Sequence, residues 1–173
     1  MGKDIHIYLL DGNNEIVARP FYGGYRNYEF FSQLQGEGQE DFYHYLPTES
    51  CSIDSLFNDT IQKDYYSNEC YYSPTQMNLN EFVSWCEKYE PWRQAGWVHK
   101  RDAWLYTKKG IYPEEYQYRL YSDDILEDME FLEFIDDNNG FLELLDFIYK
   151  TDPFFGTHKE MYKDYKLVYF FDT

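Results

Sequence analysis

The chain has 173 residues, a length that suits a single hydrophobic core, and we predict that residues 1–173 form one domain. Aromatic residues account for 22% of the chain, which excludes a disordered acidic tail and indicates a packed interior. The formal net charge of −17 repels nucleic-acid phosphates and anionic membrane surfaces, so the sequence predicts no direct nucleic-acid binding and no membrane association.

The first predicted element is a strand over residues 4–10 in which polar and apolar residues alternate. The even positions carry Asp4, His6 and Tyr8, and the odd positions carry Ile and Leu. This alternation is typical of a half-buried strand and places Asp4 and His6 on one face, roughly 6.5–7 Å apart. Both side chains can then reach one metal ion, or the carboxylate can orient the imidazole through a third group. Residues 11–14 are turn formers, and residues 15–19 are predicted to return as the second strand of a hairpin.

A helix is predicted over residues 28–35, with Asn27 as its cap. Arg26 stands just outside the N-terminus of this helix, where exposed backbone N–H groups favour an anion. Arg26 is therefore a candidate anion receptor. The alternative is a structural ion pair between Arg26 and Asp4 or Asp172.

The middle of the chain is predicted to hold a long loop followed by a core helix. Residues 36–73 show little periodicity apart from one short helical pattern over residues 52–62. The stretch from Asn78 to Glu81 reads as a capping box at the start of an apolar helix that buries Cys86. A short strand is predicted over residues 103–107.

Residues 120–149 contain ten acidic residues and no Lys or Arg. The spacing of apolar residues predicts an acidic amphipathic helix over residues 122–135, on which Asp123, Glu127 and Glu130 share one face. A second helix is predicted over residues 141–148.

The closing stretch, residues 166–172, is apolar on both faces, which predicts a central strand of the sheet. We expect it beside the opening strand, so that Asp172 lies near one end of the strand that carries Asp4 and His6. The predicted fold is α+β: a small, mostly antiparallel sheet that includes both the N- and C-terminal strands, covered by helices from the middle of the chain.

Several segments resemble a group of uncharacterised bacteriophage and bacterial proteins. The group opens with MG-x-DIH, as residues 1–6 do here, and carries RNY before a helix, as residues 26–28 do. Residues 73–82 are similar to its HS-x-S-W-L-T-L-x-E-L segment, and residues 167–172 are similar to its closing apolar strand. One departure is Tyr72, which stands where the group has a His before the Ser. If that His is a metal ligand in the group, this chain has lost it.

The cysteines and the hydropathy pattern favour a cytoplasmic location. Cys51, Cys70 and Cys86 are odd in number and lack CxxC spacing, so we predict reduced thiols without a disulfide framework or a zinc knuckle. No secretory signal or membrane-spanning run is evident in the sequence.

Two functional hypotheses follow from these patterns. The first is a polar pocket for a small anionic ligand or a metal, with a hydrolase-like site. Its catalytic candidates are Asp4 and His6, and its ligand-binding candidates are Arg26, Asn27, Tyr28 and Asp172. A polar network that merely ties the strand to the helix explains the same residues.

The second hypothesis is an acidic interaction or inhibitor protein whose acidic helices bind a basic partner surface, with a solvated surface as the simpler alternative. The sequence specifies neither a metal nor a cofactor.

Overall fold

A five-stranded antiparallel sheet joins the opening and closing segments of the chain. The computed structural model describes residues 4–19, 34, 46–117, 120, 128–136, 140–155 and 157–172. The strands are β1 (Ile5–Leu10), β2 (Ile16–Ala18), β3 (Glu49–Ser50), β4 (Tyr72–Asn78), β5 (Arg93–His99), β6 (Met129–Ile135) and β7 (Lys166–Phe171). The large sheet has the order β2-β1-β7-β4-β3, and β5 and β6 form a separate two-stranded sheet.

The described helices come from the middle of the chain and its approach to β7. They are α1 (Asp59–Tyr65), α2 (Leu79–Tyr89), α3 (Lys100–Lys109) and α4 (Gly140–Thr151), with 3-10 helices at Ile53–Leu56 and Lys159–Tyr162. The predicted α+β class is confirmed, and so is a sheet that includes both the N- and C-terminal strands. Among the described helices, none has the length and apolar character that crossing a membrane requires.

Strand β7 is the centre of the large sheet, as its two apolar faces predict. It pairs antiparallel with β1 on one side and with β4 on the other. Its alternate residues face two separate clusters of buried side chains. The first cluster includes Ile7, Leu9, Leu167, Tyr169 and Phe171, together with residues of α2 and α4. The second includes Tyr8, Leu10, Val168 and Phe170.

The face of β1 that carries His6 is more covered than a half-buried strand would be. Tyr8 and Leu10 on that face are fully buried because the first 3-10 helix and α1 pack over them through Ile53, Leu56 and Ile61. The expectation of a half-buried strand is therefore wrong, since apolar residues from the predicted loop region cover the second face.

The single helix predicted over residues 52–62 is in fact two helices. The 3-10 helix ends at Phe57, which has a positive φ of 51° and an 88% exposed side chain. Asn58 then caps α1 by accepting a hydrogen bond from the N–H of Ile61 at 3.2 Å. A positive φ cannot be continued as a right-handed helix, so the chain restarts at a new cap.

The hairpin and the core helix follow the predictions from the sequence. Strands β1 and β2 pair antiparallel, and their turn includes Asn14 with a positive φ of 62°. Asn78 caps α2 by accepting hydrogen bonds from the N–H groups of Asn80 and Glu81. On this helix Cys86 is fully buried, and burial raises the pKa of its thiol well above the ordinary range.

All three cysteines are free thiols, as predicted. Cys51 and Cys86 are buried in the second and first cluster respectively, and Cys70 is exposed.

The strand predicted over residues 103–107 is wrong, because these residues lie within α3. Ala103 is the buried residue of that helix, and Gly110 ends it in a left-handed conformation with a φ of 65°. Lys, Arg, Ala and Leu are good helix formers, and their propensity outweighs the aromatic residues that suggested a strand.

The acidic helix predicted over residues 122–135 is wrong for its second half. Residues from Met129 to Ile135 form β6, paired in register with all of β5. A short, apolar-rich strand can show the spacing of apolar residues that is typical of a helix. Here the pairing with β5 over seven residues stabilises the strand instead. Glu130 therefore lies on a strand, while Asp123 and Glu127 lie outside the described residues. The second predicted helix is confirmed as α4.

The segment that leads into β7 is tied down by Asp152. The Tyr162 hydroxyl and the N–H of Phe154 both donate hydrogen bonds to this carboxylate. The first of these bonds contributes most to lowering the pKa of Asp152 below its ordinary value of 3.8, and it raises the pKa of Tyr162 to about 12.

We expect Phe170→Ala to lower the free energy of unfolding by about 3–5 kcal/mol, because it empties the centre of the second cluster. Phe57→Ala makes the same chemical change at an exposed side chain and should cost less than about 0.5 kcal/mol. Urea unfolding curves of the two variants measure the difference. Equal losses would contradict the assignment of Phe170 to a core.

The depressed pKa of Asp152 predicts a pH-dependent contribution to stability. Because the folded pKa is the lower one, the contribution is present above pH 3.8 and is lost as the pH falls through the folded value. Asp152→Asn should therefore lower Tm at pH 7, and the difference from the parent protein should shrink towards pH 2–3.

The control for this prediction is Asp146→Asn, which removes an exposed carboxylate with a long 3.8 Å ion pair to Lys150. This variant should leave Tm nearly unchanged. A Tm deficit of Asp152→Asn that stays constant from pH 7 to pH 3 would contradict the linkage.

Candidate functional site

Asp4 and Asp172 meet at the outer end of the β1–β7 pair. The N–H of Asp4 donates to Oδ1 of Asp172 at 3.0 Å, and the N–H of Asp172 donates to the carbonyl oxygen of Asp4 at 3.1 Å. Asp172 thus lies beside the start of the opening strand, where the predicted strand pairing puts it. These two hydrogen bonds tie the residue before β1 to the residue after β7.

His6 is bonded to a carboxylate that the sequence reasoning did not single out. Its Nδ1 lies 3.2 Å from Oδ2 of Asp64, which projects from the last turn of α1. Asp4 takes no part in this contact. Among the described residues, the acid that accompanies the imidazole is Asp64.

Two further side chains converge on the same carboxylate oxygen. Nη2 of Arg19 lies 2.9 Å from Oδ2 of Asp64 and 3.2 Å from Nδ1 of His6. The Tyr8 hydroxyl also donates to Oδ2 of Asp64. We call His6, Tyr8, Arg19 and Asp64 the Asp64 cluster.

The hairpin explains why three of these side chains share one place. His6 and Tyr8 are two residues apart on β1 and face the same side of the sheet. Ala18 pairs with Leu9, so Arg19 follows directly beside Tyr8, with its guanidinium carbon 4.9 Å from the centre of the Tyr8 ring.

Asp64 occupies a position that a helix alone would disfavour. An acidic side chain in the last turn meets the negative end of the helix dipole. Hydrogen bonds from Arg19 and Tyr8 and the contact with His6 offset this cost. The cluster therefore links α1 to the hairpin electrostatically as well as through the apolar cluster beneath it.

Nδ1 of His6 has two partners with opposite requirements. An N–H on Nδ1 can donate to Oδ2 of Asp64, whereas Nη2 of Arg19 is a donor only and its contact requires a lone pair on Nδ1. In the tautomer that donates to Asp64, the lone pair is on Nε2. Among the described residues, no side chain or backbone group forms a hydrogen bond with Nε2.

Aromatic rings fix the plane of the imidazole. The His6 ring stacks on Phe170 with centroids 5.1 Å apart, and the Tyr71 ring lies 4.7 Å away at a tilt. Burial, with further contributions from its hydrogen bond to Asp64 and the charge of that carboxylate, raises the pKa of Tyr8 far above its ordinary value. Tyr8 consequently remains a neutral donor throughout the physiological pH range.

Arg26, Asn27 and Tyr28 lie outside the described residues, and their convergence on His6 stays a prediction. Leu34, from the same predicted helix, is described and is buried in the first cluster, where its carbonyl oxygen accepts a 2.9 Å hydrogen bond from Tyr169. Leu34 is thus on the opposite face of the sheet from His6. No group of three or more His, Cys, Asp or Glu side chains among the described residues is arranged to hold a metal ion.

Sequence reasoning missed three members of the cluster. Tyr8 shares the even face with His6, and Arg19 ends the predicted return strand, so the alternation and the hairpin together carried a signal for both. Asp64 carried none, because its approach to His6 depends on how α1 packs against the sheet.

A scan against protein-family models, a search of the curated proteins and a search of the solved structures each gave no match.

Tyr8→Phe should lower the free energy of unfolding by about 1–3 kcal/mol, because it removes a buried hydrogen bond to a charged acceptor. The matched control is Tyr66→Phe, which removes an exposed hydroxyl that donates to Asp54 at 3.0 Å and should cost less than about 0.5 kcal/mol. Urea denaturation followed by circular dichroism gives both values. A cost for Tyr8→Phe no larger than that of the control would contradict the role of this hydroxyl.

Proposed function

We propose that the protein binds a small anionic ligand at the Asp64 cluster and uses His6 as the acid–base group of a hydrolase-like reaction there. The observation that carries the proposal is the contact between Nδ1 of His6 and Oδ2 of Asp64, with Arg19 bound to the same oxygen. A carboxylate that orients an imidazole through Nδ1 is the arrangement that general-base catalysis uses.

The proposed chemistry uses the tautomer in which Nδ1 of His6 donates to Asp64. With its Nδ1 proton directed at Asp64, His6 has a lone pair on Nε2 that can accept a proton from water or from a hydroxyl group. The imidazolium that forms is stabilised by the adjacent carboxylate. Tyr8 and Arg19 keep that carboxylate in place while the proton moves.

Arg19 supplies the attraction for an anion. Its side chain is 53% exposed, and only one of its terminal nitrogens is engaged with Asp64 and His6. The guanidinium has five N–H donors, so the remaining donors can bind a carboxylate or phosphate group in a forked geometry. The net charge of −17 repels anions at long range, so the ligand must be small and held by short contacts.

Access to the cluster is compatible with a small ligand. The side chains of His6 and Asp64 are each 19% exposed, while Tyr8 is fully buried. The imidazole therefore meets solvent on one side and the packed cluster on the other. A relation to the bacteriophage and bacterial group that shares the MG-x-DIH opening is part of the same proposal, because that opening contains His6.

The competing explanation is that the cluster only ties α1 to the sheet. A direct test uses the ring resonances of His6 in an NMR titration with inorganic phosphate, together with hydrolysis of p-nitrophenyl acetate and p-nitrophenyl phosphate. We expect phosphate to shift the His6 resonances. We expect His6→Gln and Asp64→Asn each to reduce hydrolysis at least about a hundredfold.

The control is His158→Gln, which removes an imidazole bonded to the Thr157 hydroxyl in an exposed loop. It should leave both the hydrolysis and the phosphate response of His6 unchanged. Variants at His6 and Asp64 that lose only thermal stability, in a protein whose His6 resonances ignore phosphate, would refute the proposed function and leave the structural tie.

A further inference from the structure

A cavity lies beside the small sheet, well removed in sequence from the Asp64 cluster. It has a volume of about 340 Å³. It is lined by Trp97, His99, Glu114, Glu115, Tyr116, Gln117 and Met129. We call it the Trp97 pocket.

The wall of this pocket is fixed by backbone pairing. The N–H of Trp97 donates to the carbonyl oxygen of Gln117 at 2.8 Å, and the N–H of Gln117 donates back to the carbonyl oxygen of Trp97 at 2.9 Å. These reciprocal bonds attach the segment of residues 114–117 to the edge of β5. Gln117 is thereby held beside Trp97.

Gly96 permits the close approach of that segment. A Cβ atom at this position would lie 2.9 Å from Cδ2 of Tyr116 and 3.1 Å from the carbonyl oxygen of Gln117. Any larger residue would push the segment away from β5. The glycine thus lets the Tyr116 ring lie against β5 and keeps the segment close to the strand.

One aromatic ring of the lining, that of Trp97, lies on the outer face of the small sheet and packs edge-on against Phe131 at 5.5 Å. The Tyr116 ring lies on the other face, where it packs edge-on against Phe134 at 5.2 Å and anchors the segment that borders the pocket. The faces of Trp and Tyr rings carry negative electrostatic potential and attract organic cations, Trp most strongly.

The charged groups around the rings have the matching sign. Glu114 and Glu115 belong to the lining, and none of the described lining residues is Lys or Arg. Helix α3 starts directly after His99 and carries four basic residues, but none of these lines the pocket. The overall charge of −17 adds long-range attraction for a positively charged ligand.

We infer that the Trp97 pocket binds an alkylguanidinium or alkylammonium group. Its volume lies at the lower end of the range for ligand sites, which suits one basic side chain or a small organic amine. This ligand is opposite in charge to the one proposed for the Asp64 cluster. The two proposals use different residues, so a negative result for one does not affect the other.

The test uses the Nα-acetyl amides of arginine and citrulline, which have nearly the same shape and differ in charge. Binding is followed through the indole N–H resonance of Trp97, assigned with a Trp97→Phe variant. The arginine compound should bind at least about tenfold more tightly than the citrulline compound. Equal affinity would overturn the inference.

Variants locate the binding. The double variant Glu114→Gln, Glu115→Gln changes exposed side chains and should weaken arginine amide at least about fivefold without loss of the fold. Trp97→Ala should do the same, while Trp104→Ala removes an exposed Trp outside the lining and should have no effect. Unchanged affinity in the double variant would refute the assignment even if Trp97→Ala fails to fold.

The natural source of the cation is distinguished by a second comparison. A heptapeptide with one central Arg among Gly and Ser residues should bind more tightly than arginine amide if a basic protein segment is the ligand. Equal affinities of peptide and amide would support a free small molecule as the ligand. Failure of both compounds to bind would overturn the inference.

Discussion

The pairing of β7 with β1 on one side and β4 on the other is the constraint on which the rest of the structure depends. Because β7 is buried on both faces, each face needs its own apolar cover. Helices α2 and α4 contribute to one cover, and the first 3-10 helix and α1 contribute to the other. The contact between His6 and Asp64 depends on the second cover, because α1 brings Asp64 to the sheet.

The two candidate sites use opposite solutions to the problem of charge in a strongly acidic protein. In the Asp64 cluster one carboxylate is neutralised by Arg19 and hydrogen-bonded by Tyr8, which leaves the imidazole and the outer donors of Arg19 for an anion. In the Trp97 pocket Glu114 and Glu115 stay exposed near the Trp97 ring, which suits the proposed cation. The first site is built on the large sheet and the second on the small one, so a change in either does not require a change in the other.

The parts of the fold that the sequence predicted are those whose signal is local. The alternation in β1, the turn formers before β2 and the two apolar faces of β7 each act within a few residues, and the cap at Asn78 fixes the start of α2.

Predictions failed where partners distant in sequence decide the outcome. The spacing of apolar residues in β6 fits a helix, but β5 supplies seven pairing positions that no local pattern reveals. His6 was found because it stands on a clear strand, whereas Asp64 lies on a short helix whose contact with the sheet is purely tertiary.

The register of the large sheet has a consequence for the kinetics of folding. Ile5 pairs with Phe171, so nearly the whole chain forms the loop that this contact closes. Closing such a long loop costs chain entropy before the stabilising contacts between the two strands can form. Proteins dominated by contacts of this kind fold slowly. His6 reaches its stacking partner Phe170 only when the two ends have met. The stacked arrangement of the imidazole therefore forms late in folding, after β1 and β7 have paired.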